Sequence, residues 1–104
     1  MKVIYNNIIP FPGFKAINIF GVVFARKGSF LSEEQKVHEA IHTIQMRELL
    51  YIGFYIFYFL EWVIKLFLYK DAYSNISFER EAYSNQEDVE YLTKRKRYAW
   101  FKLI

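Results

Sequence analysis

The sequence predicts an α+β protein, with a β-hairpin or meander at the N-terminus followed by about three helices. Three observations carry this. Residues 1–31 hold both prolines and three of the four glycines around short β-prone runs. Ser32-Glu33-Glu34-Gln35 has the form of a helix start. From Leu49 onward the apolar residues recur at helical rather than strand spacing. A chain of 104 residues is expected to form one domain over 1–104.

In the first third, Pro10-Phe11-Pro12-Gly13 is a turn signal. Lys15 to Phe20 alternates weakly, and Val22-Val23-Phe24-Ala25 is a β-prone run, with Gly21 between them and Lys27-Gly28 closing the second. This segment either covers the helix that follows or offers an edge strand to an extended peptide. At Ser32 the side chain can cap a helix, Gln35 stands three residues on, and two carboxylates suit the first turn. The helix is expected to reach about Leu50, with Val37, Ala40, Ile41 and Ile44 on its buried flanks.

Leu49 to Tyr69 is apolar apart from Glu61 and Lys65. Its 21 residues would extend roughly 30 Å as one helix, the thickness of a bilayer's hydrocarbon core. The polar tips are ordered, however. Tyr51, Tyr55, Tyr58, Glu61, Lys65 and Tyr69 form one stripe, with Ile52, Ile56, Phe59, Val63, Leu66 and Phe67 opposite. Gly53 points to a turn or kink near Tyr51–Phe54. The pattern favours a helix folded back along its predecessor over a plain span, with the stripe facing water or a cleft. The apolar 52–67 face is then left for a membrane surface or a second copy of the chain. Ser77 is the expected N-cap of a last helix from Phe78 to about Lys94, and the basic, aromatic tail reads as a solvated helix end.

Composition narrows the function classes. Cysteine is absent, which excludes disulfides and thiolate metal sites. Aromatic residues make up 21% of the chain, more than so short a chain can hide. The net charge of +3 is weak evidence for an anionic partner, and no nucleic-acid-binding motif accompanies it. The N-terminus lacks the apolar region and cleavage site of a signal peptide, which predicts no Sec-type export. The expected location is cytoplasmic, with membrane association if the 52–67 face meets lipid.

His38-Glu39-Ala40-Ile41-His42 reads H-E-x-x-H and contains the only two histidines. Residues i and i+4 stack on one helix face, so two imidazoles can grip one metal ion while Glu39 addresses a water beside it. With no thiolates present, a zinc site must be completed by a carboxylate.

With a carboxylate on a later helix, the chain resembles the gluzincin clan of zinc metallopeptidases, and its size is similar to that of the minigluzincins. Glu79-Arg80-Glu81-Ala82-Tyr83 matches the clan's E-x-x-A pattern, with Tyr where Asp or Asn is usual, and Gln45 extends the first motif to H-E-x-x-H-x-x-Q. The resemblance implies a minimal zincin-like fold. It implies zinc held by His38, His42 and Glu79, with Glu81 as the fallback ligand, and Ala82 allowing close helix packing. It implies Glu39 as general base in the hydrolysis of a peptide or protein substrate. Tyr83, Tyr73 and the stripe tyrosines are the candidates for the oxyanion donor. The alternative is a non-catalytic membrane-surface or interaction protein that retains such a zinc site.

Overall fold

The computed structural model describes residues 2–8, 16–28 and 31–104. It is an α+β fold: a three-stranded sheet at the N-terminus, then four helices. The Pro10–Gly13 turn expected from sequence lies outside the described residues.

The strands are β1 (Lys2–Asn6), β2 (Ala16–Ile19) and β3 (Val22–Arg26). β2 and β3 form the expected hairpin, antiparallel with Ile19 opposite Val22. Its two-residue turn, Phe20-Gly21, has positive φ at both positions, 50° and 88°. That geometry matches the twist of the flanking strands but normally selects Asn or Gly at the first position, not Phe. β1 was not anticipated. It lies parallel to β3, giving the order β1-β3-β2, so neither a lone hairpin nor a meander describes the sheet. β3 is central and buries Val23 and Ala25 completely, while β2 is an edge strand.

Helix α1 (Glu33–Glu48) opens on the expected capping box. Ser32 Oγ accepts from the Gln35 N–H at 3.1 Å, and Gln35 Oε1 accepts from the Ser32 N–H at 2.9 Å. It ends in a Schellman arrangement: the Tyr51 N–H donates to the Met46 carbonyl and the Leu50 N–H to that of Arg47. The left-handed position carries Leu50, φ 56°, rather than glycine. Tyr51 follows at φ 64°, ψ −63°, with the Ile52 N–H donating to the Leu50 carbonyl at 2.7 Å, which makes a γ-turn. This double turn bends α1 and α2 (Ile52–Leu66) by 107°. The kink expected near Tyr51–Phe54 is thus present, centred on Leu50–Tyr51, and Gly53 itself sits inside the first turn of α2. Among the described residues no single helix is long and apolar enough to cross a membrane.

The polar stripe of α2 turns inward. Tyr58, Glu61 and Lys65 point at the rest of the fold; Tyr55 sits at the edge and Tyr69 lies exposed beyond the helix end. The Glu61 carboxylate accepts from both the backbone N–H and the hydroxyl of Ser77, each at 2.6 Å. Ser77 is thus not the N-cap of α3 (Ser77–Asn85); Ile76 is, and a carboxylate from α2 satisfies the orphan donor of that helix start. Lys65 Nζ donates to the Asn75 carbonyl at 2.9 Å. These contacts fasten α3 beneath α2.

The last helix does not run to Lys94. It stops at Asn85, whose side chain donates back to the Glu81 carbonyl, and Asp88 accepts from the Glu90 N–H. Such local side-chain bonds compete with continued helix. A short α4 (Tyr91–Lys94) follows. The tail is not a solvated helix end either: Arg95 is buried against Glu48 and Glu81, and Trp100 joins Met46, Phe54, Ile76 and Phe78 in the main core. A second cluster packs Ala82 of α3 onto Val37 and Ile41 of α1, the close helix contact that a small residue permits.

Candidate metal centre

His38 and His42 lie one turn apart on the face of α1 that meets α3, and Glu79 lies in the first turn of α3. All three are buried. Glu79 Oε1 stands 3.1 Å from His38 Nε2 and 3.0 Å from His42 Nε2, and the two Nε2 atoms are 3.1 Å apart. Three ligand atoms therefore converge on one point. In a tetrahedral site with bonds of about 2.0–2.1 Å, neighbouring ligand atoms lie about 3.3 Å apart, so the triangle fits one ion with little movement.

The hydrogen bonds behind the ligands fix which atoms face the centre. Gln45 donates its amide protons to the Phe78 carbonyl and to Glu81 Oε1, both at 3.0 Å. Its oxygen is thereby turned to His42 and accepts from Nδ1 at 2.7 Å. His42 therefore carries a proton on Nδ1 and leaves Nε2 as the lone-pair atom. Gln86 Oε1 plays the same part for His38 Nδ1 at 2.8 Å. Tyr58 donates to Glu79 Oε2 at 2.6 Å, leaving Oε1 for the histidines. These three partners orient the donor set as outer-shell groups do around a bound metal.

Electrostatics agree with that arrangement. Burial works to lower the His42 pKa, but the hydrogen bond and charge of Glu79, with Glu39 and Gln45 adding, outweigh it and raise the value to about 8. Burial works to raise the Glu79 pKa, yet its bonds to His38, His42 and Tyr58 hold it well below the usual carboxylate range. Burial and then the Glu79 charge push the Tyr58 phenol up, so it remains a donor. Three lone-pair atoms facing one another in a buried site call for a cation between them: a proton, or a metal ion whose binding would displace it. The group His38, His42 and Glu79 can hold a metal ion.

Glu39 sits beside the ligands on α1 and forms no ion pair among the described residues. It lines a cavity of about 300 Å³ together with His38, His42, Glu79, Tyr58 and Tyr73. A second cavity adjoins it, sharing His38, Glu39 and Tyr73 and adding Tyr83 and Gln86. The wall opposite is the edge strand: Ala16, Ile17 and Asn18 of β2 line the first cavity. Asn18 Nδ2 ties that strand to α1 by donating to the Glu39 carbonyl and Thr43 Oγ1, both at 3.1 Å.

The structure brings His38, His42, Glu79 and Glu39 together. Glu81, the fallback ligand, is turned away into bonds with Arg95, Tyr91 and Gln45. Tyr83, at the position where Asp or Asn was the expected pattern, places its ring edge against His38, with centroids 4.5 Å apart. Sequence reasoning missed the roles of Gln86 and Tyr58. Gln86 falls two turns after Glu79, a spacing that puts it on the same face; Tyr58 was visible as a stripe tyrosine and candidate oxyanion donor, not as a partner of Glu79. No protein-family model, no curated protein and no solved structure matches the chain, so the chemistry of the centre rests on its own atoms.

Proposed function

We propose that the protein is a zinc-dependent metallopeptidase of the gluzincin type. The observation that carries this reading is the convergence of two Nε2 atoms and one carboxylate oxygen, with Glu39, which forms no ion pair among the described residues, beside them in a cavity. Two imidazoles and a carboxylate, with no sulfur, are the donor set of hydrolytic zinc sites. Bound there, zinc would supply Lewis acidity, lowering the pKa of a water and polarising a carbonyl.

The chain's own residues divide the remaining work. His38, His42 and Glu79 hold the ion, and Gln86, Gln45 and Tyr58 orient them. Glu39 takes the proton of the attacking water and passes it to the leaving amine. Tyr73 lines both cavities, and burial followed by the charge of Glu79 raises its pKa, which keeps it an O–H donor suited to the developing oxyanion. The edge strand β2 along the same cleft supports binding of an extended peptide by strand addition.

The test has two parts. Metal analysis should find one zinc per chain in the wild type and in Glu39→Gln, and none in His42→Ala. Casein hydrolysis should be chelator-sensitive in the wild type and fall at least about 100-fold in Glu39→Gln. Equal cleavage by the Gln variant would remove Glu39 as the base. Zinc binding with no hydrolysis of any peptide would leave the alternative, a non-catalytic protein with a metal site, which the exposed apolar face of α2 favours.

A further inference from the structure

Helix α2 is amphipathic in the reverse of the usual sense. Its two charged residues, Glu61 and Lys65, are turned inward, each with a side chain about one-tenth exposed. Its outward arc carries Ile52, Ile56, Phe59, Ile64 and Leu66, all roughly half exposed or more, with Phe67 85% exposed at the end. No charge interrupts that arc. At roughly 100 Å² per half-exposed large side chain, it amounts to about 600 Å², the upper end of the largest apolar patch on an ordinary monomer. The hairpin tip extends it. Phe20, 53% exposed, packs edge-on against Tyr55 with centroids 5.3 Å apart, and lines an almost wholly apolar trough with Ile52, Ile56 and Phe59.

The rim is cationic. Lys2 and Arg47 share a hollow with Phe20 and Tyr51, and Arg47 and Arg97 share the next with Leu50 and Tyr98. The carboxylate there, Glu48, is paired with Arg95, which it shares with Glu81. Lys2, Arg47 and Arg97 make no ion pair among the described residues. Lys70 and Asp71, both exposed, follow the other end of the helix, so the excess of cations lies at the end that carries Lys2, Arg47 and Arg97. An apolar face with a rim of unpaired cations complements an anionic lipid surface. A second copy fits less well, because a two-fold pairing through this face would bring cations against cations.

We propose that the outer face of α2, with Phe20 at the hairpin tip, seats in the interfacial layer of an anionic bilayer, the helix lying in the membrane plane. Tyr55 lines both the trough and the metal cavity, so the lipid surface lies one side chain from the centre. The reading does not depend on whether the centre is catalytic.

The test is co-sedimentation with vesicles of phosphatidylcholine containing about one-third phosphatidylglycerol. The wild type should bind. Ile56→Glu with Phe59→Glu should weaken binding at least about tenfold while helicity and metal content stay unchanged, because both residues are exposed in the fold. Arg47→Glu with Arg97→Glu, or high salt, should weaken it about tenfold as well. The two tryptophans supply a readout that needs no surface charge reversal. Brominated acyl chains should quench Trp62, on the flank of the face, and leave the buried Trp100 of a Trp62→Phe variant unquenched. Absence of vesicle binding, binding indifferent to the α2 substitutions or to lipid charge, or quenching of Trp100 would overturn the proposal. So would a stable dimer in lipid-free buffer that Phe59→Glu dissociates.

Discussion

At the scale of single residues, Gln45 carries more than its neutral side chain suggests. Its amide spans three structures: the backbone of α3 at Phe78, the buried carboxylate of Glu81, and the ring of His42. It is fully buried, so each of its bonds is made in a low-dielectric interior where loss is costly. Gln45→Leu should remove the acceptor that fixes the His42 tautomer. Metal affinity should fall about 10- to 100-fold, the usual effect of losing an outer-shell partner. Titration with a competing chelator measures this. Gln45→Glu, which retains an acceptor for Nδ1, should recover part of the affinity, and equal affinity in all three proteins would show that Gln45 does not orient the ligand.

At the scale of elements, the turn between α1 and α2 sets the course of α2, to which the start of α3, and with it Glu79, is fastened. Two successive non-glycine residues, Leu50 and Tyr51, have positive φ. The left-handed conformation costs an L-residue roughly 1–2 kcal/mol. Tyr51 is held by packing against the main core, whereas Leu50 is 82% exposed. The strain at Leu50 therefore has little side-chain burial to offset it. Leu50→Gly places the preferred residue at the left-handed position of a Schellman ending. It should stabilise the fold by about 0.5–1 kcal/mol after the extra flexibility of glycine in the unfolded chain is counted. Thermal unfolding of the metal-free protein checks the sign; a lower melting temperature would mean that Leu50 makes a contact the fold requires. The same substitution at Tyr51 should destabilise, since it removes an aromatic ring from the core.

At the scale of the whole molecule, the C-terminal segment is a clamp rather than a tail. Arg95 bonds to both oxygens of Glu48 and of Glu81, and Glu48 also accepts from the Tyr98 N–H and the Trp100 indole. Through Glu81 and Gln45 this network continues to His42. Arg95→Ala would leave two carboxylates without their cation, one of them fully buried, and should destabilise by about 3–5 kcal/mol. The network also predicts acid lability. Burial works to raise the Glu48 pKa, but Arg95, Tyr98 and Trp100 together hold it below its ordinary value of 4.5. A carboxylate with a depressed folded pKa stabilises the fold above that ordinary value. The contribution is lost as pH falls below 4.5 toward the folded pKa. Denaturant midpoints should therefore drop below about pH 4.5. The drop should be smaller in Glu48→Gln, which has no such proton to take up; an equal drop would place the acid sensitivity elsewhere.

What could be read from the sequence was local. The capping box at Ser32, the i,i+4 histidine pair on α1 and the membership of Tyr58, Glu61 and Lys65 in one stripe of α2 each depend on residues within a few turns of one another, whereas the stripe, expected to face water or a cleft, packs Glu61 and Lys65 against the start of α3. Helical periodicity alone places such residues on a face. E-x-x-A picked out Glu79 through resemblance, and the structure brings that residue to the histidines. Other features rested on contacts far apart in the chain. β1 was missed because a parallel strand pairs with a partner that no local turn announces. The bend falls at the N-terminal edge of the expected Tyr51–Phe54 region, but on Leu50 and Tyr51 rather than on the glycine that suggested it, because residues that ordinarily avoid positive φ adopt it here. The start of α3 was assigned to the wrong cap because its partner, Glu61, comes from another helix. Sequence periodicity determined which side chains share a helix face. Only the tertiary structure decided that the faces of α1, α2 and α3 meet around one point, because that meeting depends on a strained turn and on long-range bonds among buried polar groups.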